Sequence, residues 1–178
     1  MDLEKLSKEA HQNALEHGFG TNYCSIDHCL MLIITEISEA VEAHRKGKIA
    51  DIRKAEVLLN DGSLNTAEFE LFVKDTLQDE IADIAIRLLS FSGRLGIRFN
   101  EIRPCRYVRS FENYQFTENA LALVKGLLVT HISIIKRVQF GLHFVQLWAD
   151  SLNINLEKHI KYKMMYNKNR PYKHGKQY

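Results

Sequence analysis

The sequence predicts an all-α fold, a bundle of about five helices. Three observations carry this. Apolar residues recur at the helical spacing, as in Ile26, Leu30, Ile33, Ile37 and Val41. No segment shows the sustained alternation of a half-buried strand, and no internal repeat is visible. Only two prolines, Pro104 and Pro171, stand in 178 residues, so long uninterrupted helices are permitted.

The first helix is expected over residues 3–16, with Gly18 and Gly20 ending it. The second runs over 25–47 and stops at Gly47. Residues 48–65 are polar and contain the turn signal Asn60-Asp61-Gly62. The third helix starts after Asn65 or Thr66, where Asn65 and Glu68 have the capping-box spacing. It continues through Ile81, Ile84, Leu88 and Leu89 to Gly93 or Gly96. Residues 97–116, with Pro104, form a connection. The fourth helix is expected from a cap at Thr117 to about Asp150, bent at Gly126 and Gly141. A turn at 151–153 leads to a final helix over about 156–166. The tail beyond Asn167 is irregular, because Pro171 and Gly175 oppose helix.

The length suits one domain over residues 1–178, long enough to bury a core, with 166–178 as a basic tail. The net charge of +2 hides an uneven distribution. Residues 157–178 hold seven Lys/Arg and one acid, which leaves 17 basic against 21 acidic residues elsewhere. An acidic body with a basic tail suits a metal site beside a polyanionic ligand; the plainer alternative is a solvated tail. The net-acidic body and the lack of a recognisable nucleic-acid module argue against nucleic acid. Cys24, Cys29 and Cys105 are odd in number and form no Cys-x-x-Cys pair, so free thiols in a reducing cytoplasm are expected rather than a disulfide framework or structural zinc. The charged N-terminus has no apolar signal core, and no apolar run is long enough for a bilayer span.

Glu36 and Glu39 lie three apart in the second helix, and Glu80 and Asp83 repeat that spacing in the third. Their neighbours are apolar: Leu32, Ile33, Ala40 and Ala43 for the first pair, Leu77 and Ile84 for the second. Carboxylates on such faces repel one another and lose hydration unless a cation compensates them. Four of them converging from two packed helices supply the oxygen ligands magnesium prefers. Each pair alone equally suits a solvated helix face. No Glu has a His three residues later, so the iron-binding pattern of ferritin-like bundles is absent, and the oxygen-only set favours Mg2+ or Mn2+. Arg87, four residues after Asp83, and Glu42, three after Glu39, are read as structural. His11, His28, His131 and His143 are scattered without ligand spacing, and Trp148 is read as core or interface.

These residues resemble the MazG-like family of the all-α nucleoside triphosphate pyrophosphatase superfamily. The segment Thr35-Glu-Ile-Ser-Glu-Ala-Val-Glu-Ala-His-Arg-Lys-Gly-Lys48 resembles its first metal motif, and Asp79-Glu-Ile-Ala-Asp-Ile-Ala-Ile-Arg87 its second. The most distinctive match is the C-terminal Lys161-Tyr-Lys-Met-Met-Tyr-Asn-Lys-Asn-Arg-Pro-Tyr-Lys-His-Gly-Lys176. The resemblance implies a magnesium-dependent, cytoplasmic nucleotide pyrophosphohydrolase. It would hydrolyse a nucleoside triphosphate to monophosphate and pyrophosphate, as nucleotide-pool house-cleaning, in a homodimer or homotetramer. By motif match Glu36, Glu39, Glu80 and Asp83 take the metal positions. Lys163, Tyr166, Asn167 and Arg170 take positions near the phosphates or sugar. Lys173 and Lys176 would join Lys163 and Arg170 on the remaining phosphate oxygens, and Tyr166 or Tyr172 would stack on the base. Glu36 or Glu39 would accept the attacking water's proton. Thr35 departs from the acid that often precedes the first Glu, and the interval between the motifs is long. A non-catalytic nucleotide-binding module or a helical interaction protein is therefore the alternative.

Overall fold

The computed structural model describes residues 1–19, 24–51, 53–54, 65–99 and 110–175. Among these the chain is all-helical, with seven α-helices and no strand. They are α1 (Leu3–Glu16), α2 (Ile26–Arg45), α3 (Thr66–Phe72), α4 (Leu77–Arg94), α5 (Phe116–Leu127), α6 (Ile134–Ser151) and α7 (Leu156–Lys168), with 3-10 turns at Phe111–Asn113 and Tyr172–Gly175. Local sequence starts each one. The side chains of Asp2, Ser25, Asn65, Thr76, Ser133 and Asn155 accept backbone N–H groups of the first turns of α1, α2, α3, α4, α6 and α7. Gln115 and Glu118 form a capping box at α5.

Helix α4 is the axis of the bundle. Ile81, Ala82, Ile84, Leu88 and Leu89 are wholly buried on it, and it packs against α1, α2, α6 and α7. The apolar face of an amphipathic helix is what such a core buries. Three bonds fix its direction against α2. Glu36 meets Arg87, Cys29 meets Arg94, and Leu77 N–H donates to the Lys48 carbonyl. The positions rise on one helix as they fall on the other, so α2 and α4 are antiparallel. No described helix is long and apolar enough to cross a membrane.

The third and fourth helices expected from the pattern are each divided in two. The chain breaks after α3, where Asp75 takes a left-handed backbone (φ 58°) and Thr76 caps a new helix. Asp tolerates that region better than most residues. The expected fourth helix breaks between Leu127 and Ile134, where Val129, Thr130 and Ile132 cluster and Ser133 restarts the helix as a cap. It begins at Phe116 behind Gln115 rather than at a Thr117 cap. Gly126 and Gly141 are not bends but close approaches between α5 and α6. A Cβ on Gly126 would overlap the Phe140 ring, and one on Gly141 would lie 3.0 Å from Leu127 and 3.1 Å from Leu88. Arg137 Nη1 donates to the Leu127 carbonyl at 3.0 Å, satisfying the end of α5. The basic tail is ordered into the turn Tyr172–Gly175, where Lys173 N–H donates to the His17 carbonyl at 2.8 Å. Asn60-Asp61-Gly62, Pro104 and Lys176 lie outside the described residues.

Gly93 sets the spacing of α1 and α4. A Cβ there would stand 2.7 Å from the Ser7 carbonyl oxygen and 2.7 Å from His11 Cβ. Helix propensity favours alanine over glycine by about 1 kcal/mol. Backbone contact wins here, because the Ser7 oxygen cannot rotate away. Gly93→Ala is expected to destabilise the protein by about 1–3 kcal/mol, read from the urea midpoint at unchanged m-value.

Candidate metal and anion site

The antiparallel register of α2 and α4 brings the two carboxylate motifs together. Glu36 on α2 and Glu80 and Asp83 on α4 place carboxylate oxygens within 4.8 Å of one another. Glu36 and Glu80 are buried, and Asp83 is partly so. Glu39 does not join this triad. It is exposed one turn further along α2, on the wall of the same cleft. A second grouping, Asp75, Asp79 and Glu80, lies within the same limit and shares Glu80. Sequence reasoning passed over Asp75 and Asp79. Their signal was the cap: Thr76 with Asp79 three residues on is a helix-start signature, and Asp79 Oδ2 accepts the Asp75 N–H at 3.0 Å.

Three cations offset this charge, one of them Lys74, whose Nζ lies 3.5 Å from Asp75 Oδ2 at the surface. Arg87 Nε donates to Glu36 Oε1 at 2.8 Å, across the helices rather than to Asp83 on its own helix. Lys163, only 5% exposed on α7, lies 2.7 Å from both Asp79 Oδ2 and Asp83 Oδ2. Glu42, by contrast, pairs with Arg45 and Lys46 at the surface, as its structural reading had it.

The compensation is incomplete, and the carboxylates show it. Burial, then Asp83 and Asp79 beside it, pushes Glu80 up to about 9. Burial, then Lys163 in opposition and Asp83 in support, leaves Asp79 up at about 7. Burial and the neighbouring Asp83 raise Glu36, against the pull of Arg87. Burial lowers Lys163, but Asp83 and Asp79 outweigh it and hold its proton above the ordinary lysine range. Glu80 Oε2 and Asp79 Oδ1 are buried without a hydrogen-bond partner among the described residues. A buried carboxylate oxygen with nothing to accept is costly. A hard divalent cation would satisfy Glu80 together with Glu36 and Asp83, and an oxygen-only set fits magnesium or manganese.

The triad opens into a cleft of about 730 Å³ between α1, α2, α4 and the C-terminal segment. Asn167, Arg170 and Lys173 line it, as do Lys74, Arg94 and His11. The Asn167 Oδ1 is buried without a partner among the described residues. Tyr166 lies elsewhere. Its ring stacks on Phe69 at 4.6 Å, its hydroxyl donates to Glu70 at 2.6 Å, and Arg170 sits 5.5 Å over the ring. Tyr166 thus holds α7 against α3 and steadies Arg170, instead of facing the cleft. Tyr172 is 67% exposed and packs by its ring on Gly18. Trp148 is core, 1% exposed. The chain matches no family model, no curated protein and no solved structure.

Lys163→Met is expected to destabilise by about 3–5 kcal/mol at neutral pH, since it strands Asp79 without its counter-charge. Urea unfolding measures this, and an exposed phosphate-binding lysine would give almost no change. The raised Glu80 sets a second expectation. Its folded value of about 9 exceeds its ordinary 4.5. Its stabilising contribution is full below pH 4.5 and is lost as pH rises through 9. Without divalent ions, thermal stability should fall from pH 7 to pH 9, and Glu80→Gln should flatten that slope. Magnesium should restore stability more at pH 9 than at pH 7, with proton release seen by calorimetry in two buffers.

Proposed function

We propose that this protein is a magnesium-dependent nucleoside triphosphate pyrophosphohydrolase of the MazG-like kind, acting in nucleotide-pool house-cleaning. The observation that carries the reading is the convergence of Glu36, Glu80 and Asp83 in a cleft whose wall also bears Arg170 and Lys173. Carboxylates for a hard cation beside cations for an anion form the pair that a polyphosphate requires. Bound there, magnesium supplies charge neutralisation to the phosphate oxygens. A cleft of about 730 Å³ falls within the size range of small-molecule sites.

The residues divide the work. Glu36 is tied to Arg87 and Asp83 to Lys163, so each is held in place. Glu39 makes no ion pair among the described residues and stands exposed on the cleft wall. It is the better placed of the two glutamates to accept a proton from water. Lys163 acts as a positioning residue for Asp83. The Asn167 amide, on the cleft wall and with its oxygen unpartnered among the described residues, can hydrogen-bond a sugar or base. Assembly into a homodimer or homotetramer is supported by exposed apolar residues on and between α5 and α6, namely Leu121, Leu128, Ile132 and Ile135. The non-catalytic nucleotide-binding alternative draws on Thr35, on the long interval between the motifs and on Glu39 standing outside the triad.

Canonical and damaged nucleoside triphosphates with magnesium are expected to yield monophosphate and pyrophosphate, with orthophosphate absent. Asp83→Ala should abolish turnover. Glu39→Gln should lower kcat by about 10²–10⁴-fold with KM little changed. Nucleotide-dependent thermal stabilisation with no product across the panel would instead establish the binding module. No response to magnesium or nucleotide would leave only an interaction protein.

A further inference from the structure

We propose that Cys24 and Cys29 are a redox modification site, closing to an intrachain disulfide under oxidation by a peroxide. The two thiols stand at the start of α2, with Glu36 and Glu39 further along the same helix. Both line the cleft, and both are half-buried, so a small oxidant reaches them. Cys29 is seven residues before Glu36 on α2, about 10 Å along the axis.

The helix start brings them together. Ser25 is the N-cap of α2, so Cys24 immediately precedes the cap and Cys29 is the fourth helical residue. Side chains at those two positions commonly meet as an apolar staple that fixes the entry of the chain. Here both are cysteines, with Sγ atoms 3.3 Å apart. A disulfide needs about 2.05 Å, so closure takes little more than an ångström of sulfur movement. Arg94 holds the pair from α4. Its Nη1 donates to Cys29 Sγ at 3.3 Å and its Nη2 donates to the Cys24 carbonyl. The guanidinium beside the Cys29 sulfur favours its thiolate as that forms in the closing step.

The chemistry closes on itself. The Cys24 thiolate attacks one peroxide oxygen, the O–O bond breaks, and the leaving hydroxide takes a proton to become water. Cys24 is then a sulfenic acid. The Cys29 sulfur loses its proton and attacks the Cys24 sulfur; the S–O bond breaks and a second water leaves. Two thiols have given up two electrons and two protons, and one hydrogen peroxide has become two waters. Burial and the hydrogen bond with Cys24 push the Cys29 thiol up to about 11, which fits Cys29 as the resolving partner rather than the first nucleophile. The proposal does not rest on the proposed hydrolase activity, although the thiols share its cleft.

The test uses the full-length protein and hydrogen peroxide, with thiols counted after denaturation and disulfides mapped by peptide mass spectrometry. The thiol count of three per chain should fall to one, with Cys24 joined to Cys29, and dithiothreitol should restore three. Cys105→Ser should still form the link, while Cys24→Ser and Cys29→Ser should each prevent it. A link to Cys105, a link between chains, or oxygen addition at Cys24 or Cys29 without a link would overturn the proposal.

Discussion

Five carboxylates crowd the junction of α2 and α4, and among the described residues three cations pair with them, Arg87, Lys163 and, at the surface, Lys74 on Asp75. Glu36, Asp75, Asp79, Glu80 and Asp83 fall in the two overlapping clusters, while Arg87 and Lys163 supply the ion pairs to Glu36, Asp79 and Asp83. Removing carboxylates from water is expensive, and the expense grows when like charges share the space. A folded chain carries such an imbalance only where a proton, a cation or a ligand relieves it. The raised Glu80 is the proton's form of that relief. The same imbalance makes α7 indispensable to the site, because Lys163 arrives from the far end of the chain to neutralise α4.

Helix α4 performs two tasks that compete for the same residues. Toward the core it presents Ile81, Ile84, Leu88 and Leu89, all wholly buried. On other faces it carries Asp79, Glu80, Asp83, Arg87 and Arg94 toward α2, α7 and the cleft. The break at Asp75 and the cap at Thr76 fix where this helix begins and hence which acids face α2. One residue of slip would rotate every side chain by about 100° and scatter the triad. The contact of Gly93 with α1 and that of Leu88 with Gly141 on α6 hold that rotation from both sides.

The basic C-terminal segment shows how one composition serves different ends. Lys163 is buried in an ion pair, Tyr166 is packed on α3, and Arg170 and Lys173 line the cleft. All four belong to one short motif. Position on a helix decides their fates. Lys163 and Tyr166, three apart, share the inward face of α7, whereas Arg170 and Lys173 follow its end and are led past α1 by the bond from Lys173 to His17.

Much of this was written in the linear chain. The helical period of α2, the extents of α1 and α7, the cap at Asn65, and the Glu-x-x-Glu and Glu-x-x-Asp pairs are local patterns, readable because three-residue spacing has a fixed meaning on a helix. The division of the third and fourth expected helices was less legible. Its signals, an Asp with a left-handed backbone and a β-branched cluster, are weak beside the apolar period that runs through them. That Glu39 stands apart from Glu80 and Asp83, that Arg87 chooses Glu36, and that Cys24 meets Cys29 beside Arg94 were decided by tertiary structure. Burial and interhelical register set those distances, and neither is a property of any one segment. The sequence supplied the helices and the charges; only their packing determined which charges were left without a partner.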